Sequence, residues 1–163
     1  MNKKDISNLE SKGYTILRNW VSEEWINKFK ENLPRLFKEH SDIRKENNNG
    51  IVSNGVAMNV LASDDLFIDF LQVMLDKGLI KDLEDNYFKR DILLNMLIMV
   101  HDFTIENGGT LILPYSHLTE DEPTEEYWKE NSIHMTGKAG DLVIWNSNIY
   151  HASGINKTQN DRI

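Results

Sequence analysis

The hydrophobic pattern changes near residue 91, and this change constrains the fold more than any other feature of the sequence. Before it, apolar residues recur at spacings of three and four, as in Ile26, Phe29, Leu33, Leu36 and Phe37, which is typical of an amphipathic helix. After it, short apolar runs alternate with turn-forming residues. Helices followed by a run of short strands predict an α+β domain built around a sandwich or barrel.

In the first half of the chain, the residue types predict where helices begin and end. Ser22 is a predicted N-cap, with two glutamates in the turn that follows. Pro34 is expected to interrupt or kink this helix. A second helix is predicted from Asp64 or Asp65 to Gly78, and a third over residues 79–87.

The second half carries the predicted strands. Residues 92–100 are expected to form a strand buried on both faces. Glu106-Asn107-Gly108-Gly109 is a strong turn signal. Further short strands are predicted over 110–113, 133–135, 142–145 and 149–152, with a short helix near 123–128.

Composition excludes several classes of protein. The formal net charge of −8 argues against a nucleic-acid or anionic-membrane partner. The absence of cysteine excludes disulfides, thiolate zinc sites and iron–sulfur clusters. The longest apolar run, 92–100, is too short to span a bilayer, and the N-terminus lacks a signal-peptide pattern. We therefore expect a cytoplasmic protein.

The most informative segment runs from Gly140-Asp141 to Asp161-Arg162. Within it a strand leads through a turn to His151, and Arg162 follows eleven positions later. Imidazole is a good ligand for the iron(II) of non-haem oxygenases, which hold the metal on two His and one carboxylate. An arginine is suited to gripping a carboxylate in a bidentate manner. Taken alone, however, a histidine beside Tyr150 is more often a packed or surface residue.

Two further stretches carry a family resemblance. Asp102-Phe103-Thr104-Ile105-Glu106-Asn107-Gly108 and Pro114-Tyr115-Ser116-His117 precede Gly140-Asp141 and His151…Arg162 in this order. Together they resemble the phytanoyl-CoA dioxygenase family, which has a "D-x-T-x-x-N-G" turn and then "P-G-S-H". Tyr115 departs from the family's glycine. Gly13-Tyr14 to Trp20 resemble, more loosely, the family's opening "G-Y-x-x-L" strand before a long helix, so the resemblance implies a strand there.

The resemblance implies a fold, a chemistry and a set of roles. The fold is a double-stranded β-helix (jelly roll) with N-terminal helices packed on it. The chemistry is hydroxylation of a small organic molecule with iron(II), 2-oxoglutarate and O2. By position, His151 would be the distal metal ligand, and Arg162 would anchor 2-oxoglutarate with help from Ser153. His117 would be structural or would face the substrate.

The family's His-x-Asp motif is not found intact. Where it is expected, the sequence is Lys89-Arg90-Asp91, and a lysine ammonium has no lone pair for a metal. Asp91 is the candidate carboxylate ligand, although a solvated charge is the alternative. Two other candidate pairs are worse placed. His40 and Asp42 lie at the end of the first long helix, where a surface pair is the alternative. His101 and Asp102 are adjacent, and neighbours on a strand point to opposite faces. His134 is expected to be structural.

Several interpretations remain open at this point. The sequence is expected to form one domain over 1–163, with 1–90 as mainly helical support and 91–163 as strands carrying the site. About six or seven strands are counted where eight are expected, so we hypothesise a jelly roll shortened internally and at its end. The function is then an active dioxygenase or a catalytically dead member that has lost the metal site. The third alternative is an unrelated α+β domain with structural histidines. The substrate and the oligomeric state are not predicted.

Overall fold

The computed structural model describes residues 1–47, 65–86 and 93–160. Within these ranges the chain forms five α-helices, six short strands and one 3-10 turn, Ser116–Leu118. The helices are α1 Lys3–Lys12, α2 Glu23–Asn47, α3 Asp65–Asp76, α4 Leu79–Asn86 and α5 Glu125–Asn131. The strands are β1 Tyr14–Leu17, β2 Leu94–Ile98, β3 Leu111–Ile112, β4 Ile133–His134, β5 Leu142–Asn146 and β6 His151–Ala152. The predicted α+β class is confirmed.

Helix α1 was not expected from the apolar pattern, and its ends explain why it forms. The Asn2 side chain accepts a hydrogen bond from the backbone of Asp5, while the Asp5 side chain accepts one from the backbone of Asn2. This capping box satisfies two N–H groups at the helix start. Gly13 ends the helix at φ +84°, a conformation that glycine adopts without strain. Strand β1 then follows, as predicted.

Helix α2 continues through Pro34, so the expected interruption is wrong, while the alternative of a kink there stays a prediction. Proline removes one backbone hydrogen bond, but the apolar face on both sides of it stays buried at Ile26, Leu33 and Leu36. Packing therefore outweighs the local cost, as is common for tertiary contacts against propensity. Helix α3 and the left-handed Gly78 after it agree with the prediction.

The first sheet has the strand order β1–β5–β2, and all pairs are antiparallel. Its central strand β5 is buried at every residue. Strand β2 was expected to be buried on both faces, but each of its residues is only half-buried. The prediction fails because β2 lies at an edge of the sheet formed by the described strands.

The core has two parts, on opposite faces of the first sheet. Leu142 and Ile144 of β5 pack against the helices, together with Leu9, Ile26 and Leu83. The alternate residues Val143 and Trp145 pack on the other side with residues near the second sheet, including Met99, Phe103, Ile112, Met135 and Ile149. Because successive side chains of a strand alternate between faces, β5 is the layer between the helices and the second sheet.

The second sheet has the order β4–β3–β6, with strands of two residues each. The turn predicted before β3 is present: the Gly109 N–H donates to the Thr104 carbonyl over 2.8 Å, and Gly108 has φ +76°. Strand β6 brings His151 beside β3.

Across the described ranges, no helix has the length and apolar character needed to cross a membrane.

Candidate functional site

His151 lies on the side of the second sheet that faces the first sheet. It pairs directly with Ile112, which is fully buried between the sheets, and residues paired in this way share a face. The imidazole ring meets the Trp145 ring edge-on, with centroids 5.7 Å apart and planes at 65°. His151 itself is exposed, so it lies at the accessible border of the core between the two sheets.

The hydrogen bond of His151 determines which ring nitrogen is free. Its Nδ1 lies 2.9 Å from the carbonyl oxygen of Ile149. A carbonyl can only accept, so the neutral ring carries its proton on Nδ1 and keeps a lone pair on Nε2. A backbone carbonyl on the other ring nitrogen is the arrangement that orients metal-binding histidines. The ring is therefore prepared to donate Nε2 to a cation.

Trp145 is a site residue that the sequence analysis did not identify. It packs against His151, and its Nε1–H is buried with no hydrogen-bond acceptor in the described part of the chain. In register it lies between Tyr14 and Asn95, which share its face of the first sheet. The alternation of β5 was a signal that could have placed Trp145 on this face, because Val143 and Trp145 are two residues apart.

The acidic residues of the two family motifs have structural roles. Asp141 is buried and accepts hydrogen bonds from the Arg18 side chain and from the backbone of Asn19 and Lys138. Burial alone would raise the pKa of Asp141, but these donors outweigh it and lower the pKa. Asp102 accepts from the Lys138 ammonium and the Ala139 N–H, and these bonds lower its pKa too. Neither carboxylate is available to a metal.

The turn residues are likewise engaged in local structure. The Asn107 side chain accepts from the Thr104 N–H and donates to the Asp102 carbonyl. Ser116 Oγ donates to the Leu113 carbonyl and accepts from the Tyr150 N–H, which fixes the residue before His151. The "P-x-S-H" turn therefore positions the strand that carries the candidate ligand.

The other described histidines have contacts or neighbours of their own. His117 packs against the end of α1, with Nε2 3.1 Å from the Glu10 carbonyl. His134 pairs with Leu111, on the opposite face of the second sheet from His151, and its Nδ1 contacts the Gly109 carbonyl. His101 precedes Asp102, whose carboxylate is already used. His40 lies within α2, and its side chain is outside the described residues, as is that of Asp42.

Of the other predicted site residues, one is described and three are not. Ser153 is exposed and follows the last residue of β6. The next residue, Gly154, approaches the 108–109 turn so closely that a Cβ there would lie 2.4 Å from the Gly109 carbonyl oxygen. Asp91, Lys89 and Arg162 lie outside the described residues. That Asp91 and Arg162 lie near His151 therefore remains a prediction from the sequence.

The described residues fit one position of a metal site. His151 offers a free Nε2 beside a buried, unpaired N–H. Within 1–47, 65–86 and 93–160, however, no group of three His, Asp or Glu side chains is arranged to hold an ion. A non-haem iron site needs two histidines and a carboxylate, so a complete set requires residues from outside these ranges.

Comparison with known sequences identifies the family. The sequence model of the phytanoyl-CoA dioxygenase family, PhyH, matches residues 83–163. A dioxygenase of Emericella variicolor, andF, is 32% identical over 75 residues, which are 44% of this chain and 25% of that protein. An uncharacterised protein of Mycobacterium tuberculosis is 31% identical over 70 residues, which are 43% of this chain and 26% of that protein. The matches thus span about a quarter of these relatives.

Comparison with solved structures extends the likeness to nearly the whole fold. HygX from Streptomyces hygroscopicus, solved with nickel, 2-oxoglutarate and hygromycin B, superposes with a TM-score of 0.70 at 11% identity, covering 99% of this chain and 84% of HygX. The epimerase SnoN, solved with Fe3+, alpha ketoglutarate and nogalamycin RO, gives 0.69 at 13% identity, covering 98% and 79%. At such low identity, these likenesses concern the fold. Through residues 83–163, the chain belongs to the phytanoyl-CoA dioxygenase family.

Proposed function

We propose that this chain is an iron(II)- and 2-oxoglutarate-dependent dioxygenase that hydroxylates a small organic molecule. The observation that carries the proposal is the state of His151, whose Nδ1–H is held by the Ile149 carbonyl so that Nε2 is free. By the family resemblance, this histidine is the expected distal metal ligand, and it lies within the matched residues 83–163. His134 has the same kind of Nδ1 contact with a backbone carbonyl, and what distinguishes His151 is its place beside Trp145, at the border of the core between the two sheets.

The proposal includes the finer architecture. In this proposal the two three-stranded sheets, with the core between them, form all or part of a jelly roll. The helices of residues 1–90 pack on its outer face. Residues 91–163 carry the site. The separation of the core into two clusters on either side of β5 supports this division, because only one of them borders His151.

The proposed ligands and anchors are those that the family resemblance implies. His151 and Asp91 would hold iron(II), and Arg162, with Ser153, would hold the remote carboxylate of 2-oxoglutarate through charge-assisted hydrogen bonds. With O2, the iron and 2-oxoglutarate supply the oxidation that places one oxygen atom in a substrate C–H bond, while 2-oxoglutarate becomes succinate and CO2.

The contribution of the described residues is orientation and exclusion of water. The Ile149 carbonyl fixes the tautomer of His151, and the Trp145 ring restricts the rotation of the imidazole. The apolar residues around Trp145 exclude water from the inner side of the imidazole, while its outer side is exposed. The buried N–H of Trp145 offers a hydrogen bond to a polar group that enters beside His151.

The substrate class follows by analogy with structural neighbours. HygX was solved with hygromycin B and SnoN with nogalamycin RO, so this fold binds small organic molecules in those proteins. We propose a substrate of the same broad class, together with O2.

The test is a binding measurement on the full chain without oxygen. Iron(II) and 2-oxoglutarate are added anaerobically, and the metal-to-ligand charge-transfer band is followed by absorption. We expect a band that is lost in His151→Ala and weakened in Arg162→Ala, because the first change removes a ligand and the second the carboxylate grip. A folded wild-type chain with no band, at saturating iron and 2-oxoglutarate, would contradict the proposal.

A second function is favoured by one specific observation. Lys89 stands where the family has its first metal histidine, and a protonated lysine cannot bind iron. A chain that kept the pocket but lost the metal would bind 2-oxoglutarate through Arg162 in the absence of iron. Calorimetric titration with 2-oxoglutarate alone distinguishes this binding module from the enzyme: metal-independent binding favours the module, and metal-dependent binding favours the dioxygenase.

A further inference from the structure

A second concave site lies between the segment that follows β3 and the start of α5. It is a partly open cavity of about 350 Å³, within the size range of pockets that hold one small molecule, roughly 300–1,000 Å³. It is lined by ten residues between Leu113 and Tyr127, none of which is among the metal and 2-oxoglutarate residues proposed above. A ligand in this cavity would therefore not need the metal site.

Aromatic and apolar surfaces form much of the wall. Tyr115 and Tyr127 both line the cavity, and each is 54% exposed. Leu113, Pro114 and Pro123 complete the apolar part of the wall. Exposed tyrosine rings with an apolar floor offer flat contact area at little cost in side-chain entropy, because tyrosine has only two rotatable side-chain bonds.

The wall is already ordered without a ligand. Ser116 Oγ donates to the Leu113 carbonyl over 2.7 Å and accepts from the Tyr150 N–H over 2.9 Å. Thr119 Oγ1 accepts from the Asp121 N–H, and Thr124 Oγ1 accepts from the Tyr127 N–H. These bonds fix the cavity from both ends, so a ligand would meet a preformed surface.

Tyr115 adds a backbone feature to this wall. Its φ is +69°, in the left-handed region that residues with a Cβ adopt at a cost. Residues held in such conformations cluster at binding sites.

The charged side chains that line the cavity are all acidic. Asp121 and Glu122 are the charged residues among the ten, and no Lys, Arg or His is among them. Two carboxylates beside two tyrosine rings attract a cation and repel an anion, and the face of a tyrosine ring attracts a cation as well. We propose that this cavity binds a small organic cation, a protonated amine carried on an apolar or aromatic body.

The first test compares three probes of the same shape on the full-length chain. The probes are 2-phenylethylamine, 2-phenylethanol and phenylacetate, followed by two-dimensional ¹H–¹⁵N NMR. We expect the amine to bind with an affinity in the ~millimolar range for so small a ligand, to shift the amide signals of Tyr115, Asp121 and Tyr127, and to bind more tightly than the alcohol. Phenylacetate is expected to bind most weakly. Equal affinities for amine and alcohol, or no shifts at these residues, would overturn the proposal.

The second test removes the charge without changing the shape. The double variant Asp121→Asn/Glu122→Gln is expected to weaken amine binding roughly fivefold, on the scale of exposed ion pairs, while leaving binding of the alcohol unchanged. Its matched control is Glu126→Gln/Glu130→Gln, which alters two exposed carboxylates outside the cavity by the same net charge. An equal loss in both double variants would refute the site and indicate only attraction to the acidic surface.

Discussion

Asp141→Asn is the substitution whose effect can be worked out most completely. The carboxylate is 3% exposed and receives three hydrogen bonds: from Arg18 Nη1 at 2.6 Å, from Asn19 N at 2.8 Å and from Lys138 N at 3.0 Å. It thereby joins the segment after β1 to the turn before β5. Asn19 is itself in the left-handed region at φ +49°, and its N–H is one of the three donors.

The loss in the free energy of unfolding depends on which of the three hydrogen bonds an asparagine side chain can keep. Its oxygen can still accept from Asn19, but its NH2 group then faces the Lys138 N–H and Arg18, which are both donors. Losing the backbone bond to a buried charged acceptor costs about 1.5–3 kcal/mol. The Arg18 side chain is 59% exposed, so its share is at most about 1 kcal/mol. The sum is about 2–4 kcal/mol, out of a total stability of about 5–15 kcal/mol.

The assay is urea denaturation at pH 7, with Asp85→Asn, an exposed carboxylate on α4, as the control. We expect the midpoint of Asp141→Asn to fall by about 1–2 M and that of the control to stay nearly unchanged. The pKa of Asp141 is lowered in the folded state, so its contribution is present above the unfolded value of about 3.9 and is lost as pH falls through the lower folded value. The gap between wild type and variant should therefore hold from pH 7 to 5 and shrink below about pH 4. A loss under about 0.5 kcal/mol, or a gap that grows in acid, would refute this reasoning.

Three further substitutions test the fold around the site. Ile144→Ala removes a fully buried side chain between β5 and the helices and should lower the free energy of unfolding by about 2–5 kcal/mol in chemical denaturation; a loss under about 1 kcal/mol would contradict the assigned packing. Gly154→Ala places a Cβ against the 108–109 turn and should cost about 1–3 kcal/mol; an unchanged melting temperature would mean that this close approach is absent. Tyr115→Gly should relieve left-handed backbone strain of about 1 kcal/mol yet weaken amine binding by NMR; unchanged binding would exclude Tyr115 from the cavity wall.

Local sequence signals predicted the elements with clear boundaries. Helical spacing located α2 and α3, and Gly78 marked the end of α3 as expected. The Asn-Gly turn before β3 was predicted because its φ requirement is visible in the residue types. Helix α1 was not predicted, because Leu9 is its one buried residue and a single apolar position gives no helical spacing. Its capping box was the available signal.

Tertiary context decided the features that the sequence analysis predicted wrongly. Pro34 was expected to interrupt α2, but burial on both sides of it keeps the helix continuous. Strand β2 was expected to be buried on both faces, or nearly so, because it is apolar, yet its position at an edge of the sheet of described strands leaves each of its residues only partly buried. Neither the neighbours of a strand nor the packing around a proline is encoded in its own residues.

The candidate site was predictable only in part, because some of its features depend on contacts between distant segments of the chain. The position of His151 followed from a motif of residue types and spacing, which a sequence shows directly. The contact with Trp145 and the hydrogen bond that frees Nε2 depend on how β5 and β6 meet. The structural roles of Asp141 and Asp102 depend on donors from other segments of the chain, so spacing alone did not identify them.

The most direct test of the central claim is the affinity of the full chain for iron(II), measured anaerobically for wild type, His151→Ala and His134→Ala. The account predicts that His151→Ala weakens binding at least ~tenfold, which corresponds to the loss of about 1.4 kcal/mol. His134→Ala should bind as wild type does, because His134 lies on the opposite face of the second sheet. Equal affinities for all three folded proteins would contradict the claim that His151 is a metal ligand.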